Sequence, residues 1–554
     1  MKNAGILGFI KAMKWISINQ GNDSCRAGVN YFTEEQNLYI RKDFLLKNDL
    51  SGLYIQAMVG MLGKDTNYQS VLSQKDRLLQ LVDGPDFQKE ETQKEIKEIY
   101  DRFIKMLEKS SFKAGYTILA RKNVPRIPTE EMIKDLKKEK DPALKKEKYL
   151  ELWEILNQKD VRTILIFKEL MYNRINLFMD NFGFYLPKML SSDMGEIYKT
   201  EFVVPLQAMI QNTKAGKKRC IDCGVQVPEI KSITFMKDTS DDLARKKSYY
   251  WNLNPDAYLC PLCAFLYSFV PLGFSYIGRD AVFINNSSSI EALIKFDNSL
   301  NEHHNSDEED KLSWFKLYNL FLDEKISSLA ERTDNIQVIL RENISRGGNS
   351  APEYRMDNLD IQIIRQMNDC RQELAWIRNR FVKDQGEFID LYKSVIEHLV
   401  EKKTLYPFIT KLIQISLRNN TQTNYIFAVE RIAVRCKGGR MAENNIKRAY
   451  AAKNLGYLMR NKLTENIKEK DKDNSLRGLV YQLLNAVSSG NRDSFMNLIL
   501  RTYASEGMPV PDIFLSCFAG QEEFTEIAYA YILGLKADDK KPENDGTANE
   551  KENE

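Results

Sequence analysis

Cys220-Ile221-Asp222-Cys223 and, further along, Cys260-Pro261-Leu262-Cys263 decide how the middle of this chain folds. Two residues between thiolates let a tight turn present both sulfurs to one ion, and two such turns complete the tetrahedral four-sulfur shell that zinc accepts. With every position filled by protein, no place is left for water. Cys220, Cys223, Cys260 and Cys263 are therefore expected to hold a structural zinc that contributes folding energy rather than catalysis. Gly224 suits the turn after the first pair, and the long interval between the pairs implies an excursion larger than a minimal hairpin. A redox dithiol or two unrelated pairs are the alternatives, and neither accounts for the shared spacing. A zinc deaminase is excluded, because no His-x-Glu motif accompanies the Cys-Pro-Leu-Cys segment.

Positive charge gathers around this motif. Lys214, Lys217, Lys218 and Arg219 lead into the first pair, while Arg245, Lys246 and Lys247 stand in the excursion beside Tyr249, Tyr250 and Trp251. A four-thiolate zinc centre is anionic, so these cations either compensate it or neutralise phosphates while the aromatic faces stack on exposed bases. A second concentration lies between Glu430 and Lys462. There Arg431, Arg435, Lys437, Arg440, Lys447, Arg448, Lys453, Arg460 and Lys462 meet only Glu430 and Glu443. Gly438 and Gly439 interrupt it, and Lys447 and Lys462 point away from Lys453 and Arg460 on a helix. A patch built from two elements is expected; a solvated basic helix is the alternative. The candidate nucleic-acid contacts are Lys217, Lys218, Arg219, Arg245, Lys246, Lys247, Trp251, Arg435, Lys437, Arg440, Lys447 and Arg448.

Outside the cysteine module the pattern is mainly helical. Thr92 and Glu95 form a capping pattern ahead of Ile96, Ile99, Tyr100, Phe103, Met106 and Leu107 at helical spacing. After the turn-rich Asn123–Pro128 segment, one long helical stretch is expected from Thr129 through Leu156 toward Met179. Ser51–Leu62 and Thr200–Met209 read as strands, and so does Ser232–Met236. Tyr258–Gly278 carries no charge and is long enough to span a bilayer, but Pro261, Pro271 and Gly273 argue for a buried strand or turn instead. Asn301–Asp310, with His303 and His304, reads as an exposed linker. Leu479, Val480, Leu483, Leu484 and Val487 form one apolar helix face, and Phe524, Ile527, Ala528, Tyr531, Ile532 and Leu535 another. The polar tail after Ala537 is expected to be disordered.

The fold class is thus α+β: a mixed N-terminal part with a zinc-binding module, then a mainly helical C-terminal half ending in a bundle. Five regions follow: 1–200 mixed, 201–300 zinc-binding, 301–425 helical, 426–536 a C-terminal helical bundle, and 537–554 the tail. At 554 residues the chain exceeds one ordinary core, and 80 basic against 77 acidic residues leave a charge of +3 that says little about partners. Eight cysteines, four of them in metal-type pairs, point to a reducing, cytoplasmic setting. The catalytic search is thin. There are three histidines, of which His398 falls in a helical stretch, Tyr392–Val400; no phosphate-binding loop or nucleophile elbow occurs, and Cys25, Cys370, Cys436 and Cys517 stand apart in sequence.

Asn3-Ala4-Gly5-Ile6-Leu7-Gly8-Phe9, the paired cysteine turns, Leu483-Leu484-Asn485-Ala486 with Gly490-Asn491-Arg492-Asp493-Ser494-Phe495-Met496, and Pro509-Val510-Pro511-Asp512-Ile513-Phe514 occur in that order. Together they resemble the C-x-x-C/C-x-x-C large subunit of type I-B CRISPR interference (Cascade) complexes. The resemblance implies a non-catalytic subunit that binds guide RNA and target DNA, helps recognise the target-adjacent motif, contacts other Cascade subunits and recruits a helicase-nuclease, with no membrane partner. It also implies a C-terminal part similar to the small subunit, with Met441 as a candidate internal start. A metal-dependent nuclease with dispersed acids and a structural adaptor are the competing readings.

Overall fold

The first helix, α1 (Lys2–Gln20), is buried all round from Ala4 to Ile10, and Ala12, Met13 and Ile16 continue that burial while Lys14 and Ile18–Gln20 reach solvent. A stretch of helix apolar all round must sit inside a protein, and α1 forms the axis of the first of two compact units. The computed structural model describes residues 1–180, 182–212, 216–228, 231–237, 257–277, 280–286, 289–304, 336–346, 349–359, 361–378, 380–419, 424–438, 442–468 and 472–537. Met1–Lys311 with Ile336–Met356 make one unit, and Leu312–Asn335 with Asp357–Glu554 the other.

In the first unit α1 is followed by a small hairpin, β1 (Tyr31–Glu34) and β2 (Asn37–Ile40). Then come α2 (Leu50–Leu62), α3 (Glu90–Leu107), α4 (Ser110–Arg121), α5 (Glu130–Lys138), α6 (Pro142–Asn157), α7 (Lys159–Asn173) and α8 (Val204–Gln211). The cysteine module adds two short antiparallel pairs, β3 (Lys218–Arg219) with β4 (Gln226–Val227), and β5 (Lys231–Ser232) with β6 (Tyr258–Leu259). Helices α9 (Pro261–Ser268) and α10 (Val270–Gly273) lead into β7 (Ser275–Ile277), β8 (Asp280–Asn286) and α11 (Ile290–His304). A four-stranded sheet in the order β10-β9-β8-β7 is completed by β9 (Ile336–Arg346) and β10 (Asn349–Leu359).

The two glycines of the Asn3–Phe9 segment let α1 lie against the backbone that follows Cys263. A Cβ on Gly5 would stand 2.4 Å from the Leu266 carbonyl oxygen, and one on Gly8 would stand 2.0 Å from that of Phe269. Phe9 then packs edge-on against Phe265 and Phe269 at centroid distances of 6.3 and 5.4 Å. Behind them Tyr54 of α2 stacks on Tyr198 at 4.1 Å, and both hydroxyls reach Ser268, one at its carbonyl and one at its Oγ.

The second unit is the expected helical half. It runs α12 (Ile361–Asp369), α13 (Arg371–Ile377), a hairpin of β11 (Phe381–Asp384) and β12 (Glu387–Asp390), α14 (Leu391–Val400), α15 (Tyr406–Asn419), α16 (Asn424–Gly438) and α17 (Ala442–Leu463). It ends in α18 (Lys472–Ser488), α19 (Arg492–Ser505) and α20 (Gln521–Leu535). Gly456 and Gly534 bring α17 and α20 together, since a Cβ there would lie 2.1 Å from the Tyr531 carbonyl and 2.0 Å from the Lys453 carbonyl respectively. The Leu483–Met496 and Pro509–Phe514 segments do structural work here. Gly490 adopts φ +69°, Asn491 caps α19 by accepting from the Ser494 N–H, and Phe495 and Phe514 pack among Phe524, Tyr503 and Tyr531.

Several sequence expectations are corrected. Ser51–Leu62 lies in helix α2, and Thr200–Met209 forms a π-helical turn (Lys199–Val203) followed by α8, with Pro205 in the first turn, where a missing N–H costs nothing. Ser232–Met236 is strand only at Ser232 and then a 3₁₀ turn, Ile233–Phe235. Tyr258–Gly278 is largely buried helix, because Pro261 and Pro271 each sit in a first helical turn and start helices instead of breaking them. The expected long stretch after Thr129 is three helices, and α3 begins at Glu90 without a side-chain cap from Thr92. His303 and His304 end α11, so the linker expectation fails at Asn301–His304; its remainder lies outside the described residues, as do Met441 and the tail from residue 538. Among the described residues no helix is long and apolar enough to cross a membrane.

Candidate metal centre

Strand β3 carries the chain into Cys220, and the turn that follows is closed by two backbone bonds. The Gly224 N–H donates to the Cys220 carbonyl at 3.0 Å and the Cys220 N–H to the Val225 carbonyl at 2.9 Å. Gly224 takes φ +72°, a left-handed conformation that glycine adopts without strain. The Ile221 N–H donates to the Tyr258 carbonyl at 2.9 Å, which ties this turn to the strand leading to Cys260. Cys260 then caps α9: its Sγ accepts the Cys263 N–H at 3.4 Å while its carbonyl accepts from Ala264.

All four sulfurs lie within 4.8 Å of one another, and Cys223 Sγ stands 3.6 Å from Cys260 Sγ although 37 residues separate them. Bonds of about 2.3 Å to a tetrahedral ion put sulfurs roughly 3.8 Å apart. The donor set fits a divalent metal. Cys220, Cys260 and Cys263 are buried and Cys223 is exposed, so the ion would sit at the surface of the module with one edge toward solvent.

Protonation of the bare thiols shows what a cation would replace. The Cys260 thiol is pulled down to about 6, chiefly by the hydrogen bond from the Cys263 thiol, with the Cys263 N–H and the Cys223 and Cys220 thiols assisting against desolvation. Cys263 is pushed far up by the same bond and by burial, and Cys223 up to about 11, mainly by desolvation. Cys260 thus favours the thiolate while Cys223 and Cys263 favour the thiol, and a bound dication would displace the remaining protons and neutralise part of the charge.

Residues 213–275 match the family model of a CRISPR-associated protein, Cas_CXXC_CXXC. The matched segment contains both cysteine turns and the helix against which α1 packs, and it supports a role in CRISPR defence. No curated protein and no solved structure matches the chain.

The candidate contacts fall unevenly. Lys217, Lys218 and Arg219 are exposed beside the four sulfurs, with Lys218 Nζ 2.6 Å from the Tyr258 hydroxyl and over its ring at 3.8 Å. Lys217 and Lys218 also line a cleft of about 770 Å³ with Phe202, Lys231 and Pro261, in which Lys231 pairs with Glu201. Arg245, Lys246, Lys247 and Trp251 lie outside the described residues, as do Lys214, Tyr249 and Tyr250.

The second basic stretch does span two elements, α16 and α17, but several of its cations turn inward. Arg435 pairs with buried Glu373 at 3.1 Å and Arg431 reaches the same carboxylate at 3.9 Å and the Tyr450 hydroxyl. Arg460 is 2% exposed and bonds Asp473 at 2.7 Å. Lys447 is exposed and Arg448 is half-buried on Asn445, whereas Arg440 and the side chain of Lys437 lie outside the described residues. His398 Nδ1 donates to the Ser394 carbonyl of its own helix and the ring stacks on Phe408, a structural role. Two cysteines that stand apart in sequence meet in space: Cys370 Sγ and Cys436 Sγ are 3.8 Å apart. No spacing rule links positions 66 residues apart, so this pair had no sequence signal.

Proposed function

We propose that the chain is the large subunit of a type I-B CRISPR interference complex, that the four sulfurs hold zinc, and that the subunit acts without chemistry of its own. In this reading it binds guide RNA and target DNA, helps recognise the motif beside the target, contacts the other Cascade subunits and recruits a helicase-nuclease. The observation that carries it is the family match over residues 213–275, which contains four thiolates converging on one point. The ion would brace the turn that presents Lys217, Lys218 and Arg219, so its contribution is to the shape of a cationic surface. The order of the Asn3–Phe9, Leu483–Met496 and Pro509–Phe514 segments around that match supports the large-subunit assignment.

Affinity purification of the tagged chain from its native cell tests the proposal. Repeat-derived RNA and several smaller proteins should accompany it, with one zinc per chain by elemental analysis. A chain that purifies alone and free of RNA, or that cleaves nucleic acid with magnesium until one or two acids are mutated, overturns it.

A further inference from the structure

The β11–β12 hairpin of the second unit presents an unusual face to solvent. Gln385 and Gly386 at its turn take φ +48° and +98°, the two left-handed positions of a tight hairpin turn. In the observed register Lys383 lies opposite Phe388 and Phe381 opposite Asp390. Cross-strand partners and alternate residues share a face, so Phe381, Lys383 and Phe388 project together, while Val382 and Ile389 take the other side and Val382 is buried there. Phe381 is 58% exposed and Phe388 70%, and Trp376, just before the hairpin, is 40% exposed.

One cation, Lys383, shares the face with these rings, and two more immediately precede the hairpin. Arg378, Arg380 and Lys383 are all exposed and make no ion pair among the described residues, and Lys383 Nζ lies 5.9 Å from the centre of the Phe388 ring. The described acids of the hairpin are committed elsewhere: Asp384 pairs with Arg418 at 3.2 Å, and Asp390 caps α14 by accepting the Lys393 N–H at 3.0 Å. Beside the hairpin lies a cleft of about 570 Å³ bordered by Phe381, Lys383, Asn419 and Tyr425. A hydrophobic protein partner would favour the rings without the cations, and a duplex would favour the cations without the rings. Exposed rings beside positive charge that makes no ion pair among the described residues suit a polyanion whose bases are unstacked.

We propose that this hairpin face is a binding site for single-stranded nucleic acid, stacking bases on Phe381 and Phe388 while Lys383 meets a phosphate and Arg378 and Arg380, just before the hairpin, add to the positive potential. The proposal rests on the nucleic-acid reading above and adds a second contact region distinct from the metal module.

The test uses the full metal-loaded chain and a fluorescein-labelled thymidine oligonucleotide at low salt. A chain with Phe381→Ala and Phe388→Ala together should bind it about tenfold or more weakly, with its salt dependence unchanged. Lys383→Ala should instead lower the slope of log affinity against log salt by about one. An oligonucleotide carrying 2-aminopurine, whose emission falls on stacking, should dim with the parent chain and not with the double variant, and circular dichroism should confirm that both are folded. If the parent binds and the double variant binds equally with the same dimming, the hairpin proposal fails and the broader reading stands. If the parent binds no strand, both fail. If the double variant keeps its oligonucleotide affinity but loses a co-purifying protein, the face is a protein dock and the proposal is overturned.

Discussion

Glu430 is fully buried between cations and another acid, and both of its carboxylate oxygens lack a hydrogen-bond partner among the described residues. Burial raises its pKa well above the ordinary carboxylate value, Glu526 raises it further, and Arg431 and Lys453 only partly oppose them. The unfolded chain therefore releases this proton at a lower pH than the folded one does. Stability attributable to Glu430 is intact below the unfolded value near 4.5 and declines as pH rises above it, until the folded carboxyl also ionises. Glu430→Gln is neutral and similar in shape; it should raise stability by about 1–3 kcal/mol at pH 8 and flatten that decline, measured by urea denaturation from pH 5 to 9. An unchanged slope would mean that Glu430 finds compensation in the folded state. At the metal centre, Cys260→Ser removes a ligand while its hydroxyl can still cap α9, so elemental analysis should find bound metal nearly abolished and the melting temperature lowered through the lost ion alone.

Among the elements, α1 meets α9 and the residue after it through glycine-to-backbone contacts as well as through the packing of Phe9 on Phe265 and Phe269. Gly8→Val would drive two methyl groups into the Phe269 carbonyl, which cannot rotate away. It should destabilise the first unit by about 1–3 kcal/mol and weaken zinc retention against a chelator, because α9 carries Cys263 and begins at Cys260. Wild-type zinc retention in a destabilised Gly8→Val chain would show that helix and metal centre are uncoupled. The same contact shows what the sequence made legible and what it hid. The cysteine pairs were readable because ligand spacing is local, and Ile96–Leu107 because its apolar residues recur on one face. Ser51–Leu62 was not, since a helix buried on most sides has no polar face and its apolar run resembles a strand. The exposed rings of β11–β12 also escaped notice: alternation in a short strand reveals two faces but not which one meets solvent.

For the whole molecule, the two compact units predict a divided response to metal removal. A strong zinc chelator should speed amide exchange in residues 216–228 and 257–277 and in α1, while α15 to α20 of the other unit keep their protection. Exchange that rises evenly along the chain would contradict separate cores. What reading charge along the chain could not show was direction. Arg431, Arg435 and Arg460 contribute to a basic stretch in the sequence, yet in the structure they pair with buried Glu373 and half-buried Asp473, so the surface there is less positive than the composition suggests.

The segment between the cysteine turns leaves and re-enters the module at one place: Lys231 pairs with Leu259, Ser232 with Tyr258, and Ile233 donates to the Ala257 carbonyl at 3.1 Å. That stitched root fixes both ends of the intervening chain, so the sulfur cage depends on the root and little on the number of residues that separate its two strands. Doubling the length of that chain would cost only about 0.6 kcal/mol in closure entropy. Chain inserted between the two strands of that root should therefore leave the spacing of the four sulfurs as it is.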